Sequence, residues 1–355
     1  MTDHEPTTER ERAARRAEAP SQRSNLRPVG HAMIAALVAL ALGSVLDARA
    51  LYKSAVTQPD GPARDVAVVV TGALKAVTNF TQISQIRQGI ALGVGMGDKD
   101  TIDTNLNLPV KAAAPASVAP AKQAFNARKK LKLYTGGDSL METVGLAIAQ
   151  IAPRTGVIKV EPNDSHISTG LNRPDSFNWF NQLRDVLANE DPDVINLMFG
   201  DNDADAFMSG MPDGAPQIQS FGDAAWEQEY RRRVGGMMDL ALQKQGRFVI
   251  WIGEPQMENA DLNAKQVKLN EIYKSEAAKR PGRVSYLDLY ELFTPGGAPY
   301  SDSFTSNGTT TVVREPDGEH ITMDGGAVVS GEILKLVREH FDLQGALPAS
   351  LSLTQ

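Results

Sequence analysis

The chain has 355 residues, more than one domain usually holds, so a core domain with appendages is the expected plan. Its formal net charge of −7 speaks against a general nucleic-acid binder. It contains no cysteine, which excludes disulfides, thiolate-bound zinc and a cysteine nucleophile.

Residues 1–28 are polar, rich in Arg, Glu, Pro, Ser and Thr, and lack apolar periodicity, the composition of a disordered tail. Residues 29–46 form the one long apolar run, uncharged and about 18 residues long, at the short end of what spans a bilayer. With Arg23 and Arg27 on its near side, it reads as a transmembrane signal anchor. That would hold the tail in the cytoplasm and place everything after Leu46 outside. Two other readings stay open: a signal peptide cleaved near Ala50, since Ala48-Arg49-Ala50 fits a cleavage site, and a buried core helix. Residues 47–110 follow as a juxtamembrane segment. Within it, Gly93-Val94-Gly95-Met96-Gly97 lacks the spacing of a dinucleotide-binding loop and reads as a turn. Residues 111–129 are an Ala/Pro-rich linker. A domain over 130–345 and a tail over 346–355 complete the chain.

Within that domain the pattern predicts strands at 131–135, 157–160, 194–199, 248–252 and 284–289. Helices are predicted at 140–151, 176–188, 224–242, 263–279 and 326–341. Continuous apolar strands alternating with helices imply a parallel sheet covered on both faces. Such sheets bind ligands at the carboxyl ends of their strands.

The residues after each strand therefore matter most. Gly137-Asp138-Ser139 follows the first. Ser139 stands at a helix start, where it can cap the helix or serve as a nucleophile beside unpaired N–H groups. The second strand leads into a loop with His166, Thr169, Gly170 and Arg173. Gly200-Asp201-Asn202-Asp203 follows the third strand and Gly253-Glu254-Pro255 the fourth. Before the last helix lie Arg314 and, three apart, Asp317 and His320. A carboxylate so spaced can accept from His Nδ1–H and leave Nε2 free to take a proton. His166 is the rival base, with no acid in comparable register beyond Asp164. Asn202 reads either as a turn residue or as an oxyanion donor joining the N–H groups of Ser139 and Gly170. Asp201, Asp203 and Asp205 alternate like calcium-loop ligands, but Ala206 and Pro212 stand where that loop needs Gly and Glu.

These blocks, in this order, resemble the SGNH (GDSL-type) hydrolase superfamily over roughly 131–343. The resemblance implies Ser139, Asp317 and His320 as catalytic residues. It implies Ser139, Gly170 and Asn202 as the oxyanion hole, with Gly137, Asp138, Gly200, Asp203 and Arg314 in support. The Gly170-Leu171-Asn172-Arg173-Pro174 loop leading to Trp179, and Trp251-Ile252-Gly253 with Pro255, are similar to the membrane-anchored DUF459 branch. Asp201 departs from the small residue usual at its position.

The resemblance implies a three-layer α/β/α, flavodoxin-like fold with a five-stranded parallel sheet, preceded by the transmembrane helix. The expected activity is that of an extracytoplasmic serine esterase, using no metal and no cofactor. Its expected substrate is an acylated glycan or lipid of the envelope, and its partner the membrane through the N-terminal helix. A glycan O-acyltransferase and a non-catalytic envelope-binding module remain alternatives.

Overall fold

The computed structural model describes residues 51, 66–67, 69–71, 104–109, 122–204, 207–211, 215, 218, 220–306 and 308–349. The expected cytoplasmic tail, the apolar run 29–46 and most of the linker lie outside the described residues. Among those described, no helix is long and apolar enough to cross a membrane. The chain divides into two units, Met1–Thr101 and Ile102–Gln355. In the first, the few described residues are helical.

The second unit is the α/β domain. It opens with β1 (Ala124–Phe125) and the first sheet strand, β2 (Leu131–Gly137), then α1 (Ser139–Ile151), β3 (Ile158–Val160) and β4 (Asp164–Ser165). Next come α2 (Trp179–Asn189), β5 (Val194–Met198), α3 (Ala224–Ala241), β6 (Phe248–Ile252), α4 (Ala260–Ala278) and β7 (Val284–Leu287). A short α5 (Leu289–Phe293), a hairpin of β8 (Ser303–Ser306) and β9 (Thr309–Val312), α6 (Met323–His340) and β10 (Asp342–Leu343) complete it. The five expected strands run parallel in the order β3-β2-β5-β6-β7, and the two-residue β4 also pairs with β2.

The central strands are largely apolar because both faces are covered. Every residue of Val194–Met198 and of Phe248–Ile252 is buried. On one face α2, α3 and α4 pack Trp179, Trp226 and Leu269 against Tyr134, Leu197 and Trp251. On the other, α1 and α6 pack Ile148 and Ile333 against Leu133, Met198 and Ile250. Among the described residues of this domain, each of the six α-helices begins where a polar side chain takes an orphan N–H: Asp138, Asn178, Asp223, Asn259, Asp288 and Thr322. That explains three shifted boundaries. The cap moves the start of α2 from Ser176 to Trp179, of α4 from Asn263 to Ala260, and of α6 from Gly326 to Met323.

Two packing details place the site. Gly326 lets α6 lie close on α1, since a Cβ there would sit 2.9 Å from the Thr143 carbonyl oxygen and 3.0 Å from Ala147 Cβ. This close crossing brings the loop ahead of α6 to the start of α1. Residues 104–109, expected in the juxtamembrane segment, pack on the α2/α3 side. Leu106 is buried there, and Arg184 donates to its carbonyl at 2.7 Å.

Candidate active site

The site lies where the strands end, and its first element is the turn from β2 into α1. Gly137 is required by close approach, because a Cβ would meet the Met198 carbonyl oxygen at 2.0 Å. Asp138, fully buried, caps α1 by accepting from Leu140 N–H at 3.0 Å and holds the end of β5 by accepting from Gly200 N–H at 3.0 Å. The cap is Asp138, and Ser139 is the first helical residue with its hydroxyl uncommitted to capping.

The hydroxyl meets the loop ahead of α6. His320 Nε2 lies 3.1 Å from Ser139 Oγ, and His320 Nδ1 lies 2.8 Å from Asp317 Oδ2. Asp317 also accepts from the backbone N–H of Glu319 and of His320, each at 2.9 Å. Partial burial acts to raise the pKa of this carboxyl, but the two N–H donors and the His320 ring outweigh it and lower it to about 2. The loop is closed by Glu315 N–H donating to the His320 carbonyl at 2.8 Å. Gly318 turns it at φ +74, where a Cβ would strike Glu258. Arg314 is buried beneath it and donates to the carbonyls of Gly318 and Glu319. It clamps the backbone of this loop.

The third element joins two loops. Asp203 is fully buried and accepts from Leu171 N–H at 2.9 Å, Asn172 N–H at 2.8 Å and Tyr230 Oη at 2.6 Å. Burial pushes its pKa up against the pull of those donors and of Arg233. Arg233, from α3, takes the opposite side of the same segment by donating to the carbonyls of Leu171 at 2.9 Å and Asn172 at 3.0 Å. Gly170 sits against this anchor, where a Cβ would lie 2.2 Å from Asp203 Oδ1. Gly200 is likewise packed against Glu254, a buried residue of the turn after β6 to which the sequence assigned no role. Asn202 Nδ2 is buried and has no hydrogen-bond partner among the described residues. The side chain of Asp201 lies outside the described ones.

His166 is paired with Asp164, the one acid the sequence offered it. Its Nε2 lies 2.9 Å from Asp164 Oδ1. It is His320, however, that reaches Ser139. Tyr134 and Gln182, which also bind Asp164, were missed in the sequence because a strand-interior tyrosine and a helical glutamine carry no local signal. Among the described residues no cluster of His, Cys, Asp and Glu is arranged to hold a metal ion.

The family model described as "Protein of unknown function (DUF459)" matches residues 132–336. The chain belongs to the DUF459 family. That match starts in β2 and ends in α6, so it takes in every element of the site. No curated protein matches the chain in sequence.

Solved structures similar to this DUF459 chain include a lipase/acylhydrolase from Enterococcus faecalis, 17% identical over 59% of this chain and 96% of that one, with a TM-score of 0.41. A carbohydrate acetylesterase family member from Sinorhizobium meliloti is 12% identical over 59% and 98%, also at 0.41. An inhibitor-bound aryl esterase from M. smegmatis is 13% identical over 59% and 100%, at 0.40.

Proposed function

We propose that this DUF459 protein is a serine esterase. The observation that carries the reading is the chain of contacts from Ser139 Oγ through both nitrogens of His320 to Asp317. Asp317 accepts from Nδ1–H, which leaves the lone pair of Nε2 facing the hydroxyl.

In the forward step Ser139 Oγ attacks the ester carbonyl carbon while His320 Nε2 takes its proton. The carbonyl oxygen becomes an oxyanion, which the N–H groups of Ser139 and Gly170 and the side-chain amide of Asn202 stabilise. The buried, unpartnered Asn202 Nδ2 supports that role, since an unmatched buried donor is costly unless a ligand takes its hydrogen. Collapse breaks the bond to the leaving alcohol, which His320 protonates. Water, deprotonated by His320, then cleaves the acyl-enzyme and restores Ser139. The uncharged run 29–46 with its flanking arginines supports an extracytoplasmic, membrane-anchored location, and hence acylated envelope glycans or lipids as substrates.

The test compares wild type with Ser139→Ala in fluorophosphonate labelling and short-chain ester hydrolysis. Wild type should label and turn over, whereas the variant should not label and should lose roughly 10⁴–10⁶ in kcat. Asn202→Ala should label slowly and lose about 10²–10³. Equal activity in wild type and Ser139→Ala would sink the assignment.

A further inference from the structure

A second imidazole–carboxylate pair stands beside the nucleophile and has no part in that mechanism. The short strand β4 pairs with Gly136 and Gly137, and His166 N–H donates to the Gly137 carbonyl at 3.0 Å. His166 is therefore fixed to the strand whose next turn carries Ser139. Its backbone is held further by Thr169 Oγ1, which donates to the His166 carbonyl at 2.6 Å and accepts from Trp179 Nε1 at 2.9 Å. The ring is oriented on two sides. It stacks on Phe177 with centroids 3.9 Å apart and meets the edge of Trp179 at 5.3 Å. The side chain is 40% exposed.

The hydrogen bonds around Asp164 fix which nitrogen bears the proton. Asp164 Oδ2 accepts from Tyr134 Oη at 2.6 Å and Gln182 Nε2 at 2.8 Å, and Oδ1 meets His166 Nε2 at 2.9 Å. The carboxylate has only lone pairs to offer, so Nε2 must be the donor. In the neutral ring Nδ1 is then an acceptor, and among the described residues none bonds to it. A part-exposed acceptor held rigid beside the strand that leads to Ser139 selects a ligand that brings an O–H. A bare acyl chain or a fully esterified alcohol brings none.

Resting on the esterase reading, we propose that His166 Nδ1 accepts a hydrogen bond from a free hydroxyl of the substrate's alcohol portion. The enzyme thereby prefers esters of polyols that keep unesterified hydroxyls. A sugar and a glycerol share that chemistry. Asp164, Tyr134 and Gln182 act through His166 as positioning residues.

The test uses four esters: a mono-O-acetyl methyl pyranoside, its per-O-acetyl counterpart, glycerol monoacetate and glycerol triacetate. Each is hydrolysed by wild type and by His166→Phe, which keeps a ring on Phe177 but has no acceptor. Loss of one neutral hydrogen bond should lower kcat/KM for the monoesters by about 3–10-fold, mostly through KM. The fully acetylated esters should change by less than about twofold. Loss on the pyranoside alone assigns a sugar, and loss on the glycerol ester alone assigns a lipid-type alcohol. Equal loss on all four, or loss on none, overturns the proposal.

Fluorophosphonate labelling of Ser139 in the same preparations reports separately on the fold and the nucleophile. Should wild type fail to label, the esterase reading fails. Ring ¹⁵N shifts of His166, titrated with methyl pyranoside and with glycerol, then decide the hydroxyl contact alone. A proton found on Nδ1, or no shift with either, overturns it.

Discussion

At the scale of single residues, the division of labour between Asp138 and Ser139 gives the site its chemistry. Two adjacent polar residues at a helix start both could cap it, and local sequence does not say which does. Asp138 wins because its second oxygen has a nonlocal use, the N–H of Gly200, that a serine hydroxyl would not reach as well. Asp317 is the residue whose titration can be followed. Its pKa is lowered to about 2 by donors that outweigh the effect of burial, so the folded state favours the ionised form. That preference is complete above the unfolded value of about 3.9 and is lost as the pH falls through about 2. Asp317→Asn should therefore lower Tm relative to wild type at neutral pH, with the difference closing between about pH 4 and pH 2. In kcat the variant should lose about 10²–10⁴ at pH 7, the lower end reflecting a half-exposed carboxylate. A Tm difference that does not change with pH would show that Asp317 does not act through its charge.

At the scale of elements, the site is a set of loops held by charged side chains that reach their backbone. Asp203 takes the N–H groups of Leu171 and Asn172, Arg233 takes their carbonyls, and Arg314 holds the loop of Asp317 and His320 in the same way. The blocks around Gly137, Gly200 and Asp317 were legible because glycine turns at strand ends are local signals. The partners were not, since Arg233 lies 61 residues from Asn172 in the chain and stands on a helix that reads as an ordinary charged face. Asp203→Asn tests the anchor. One amide N–H₂ would face a donor where an oxygen now accepts, leaving a buried N–H or hydroxyl unpaired at about 1–3 kcal/mol. The urea midpoint should fall with an unchanged slope. Fluorophosphonate labelling should slow as Gly170 loses its seat, although Asp203 touches none of the reacting atoms. Labelling at the wild-type rate in a destabilised variant would separate the anchor from the chemistry.

At the scale of the whole molecule, the order of strands and helices followed from apolar runs, because a sheet buried on both faces leaves no alternation to misread. The N-terminal border did not follow. The Ala/Pro composition of 111–129 suggests that the domain starts after it, yet the compact unit begins at Ile102. Residues 104–109 carry only two leucines among polar neighbours, too short a pattern to announce a packed segment. Leu106 nevertheless joins the core beside α2, and Leu108 packs on α3, where a Cβ on Gly236 would lie 2.7 Å from Leu108 Cδ2. Arg184 adds a charged hydrogen bond to the Leu106 carbonyl. A protein beginning at residue 122 should therefore be less stable than one beginning at residue 102. Exposing the surface that Leu106 covers costs about 1.5–3 kcal/mol. For a domain of this size that is a fall in Tm of roughly 3–12 °C. Scanning calorimetry of the two proteins measures it, and Leu106→Ala in the longer protein should reproduce most of the fall. Coincident transitions would show that residues 102–121 contribute nothing to the fold, and that the linker composition had marked the border correctly.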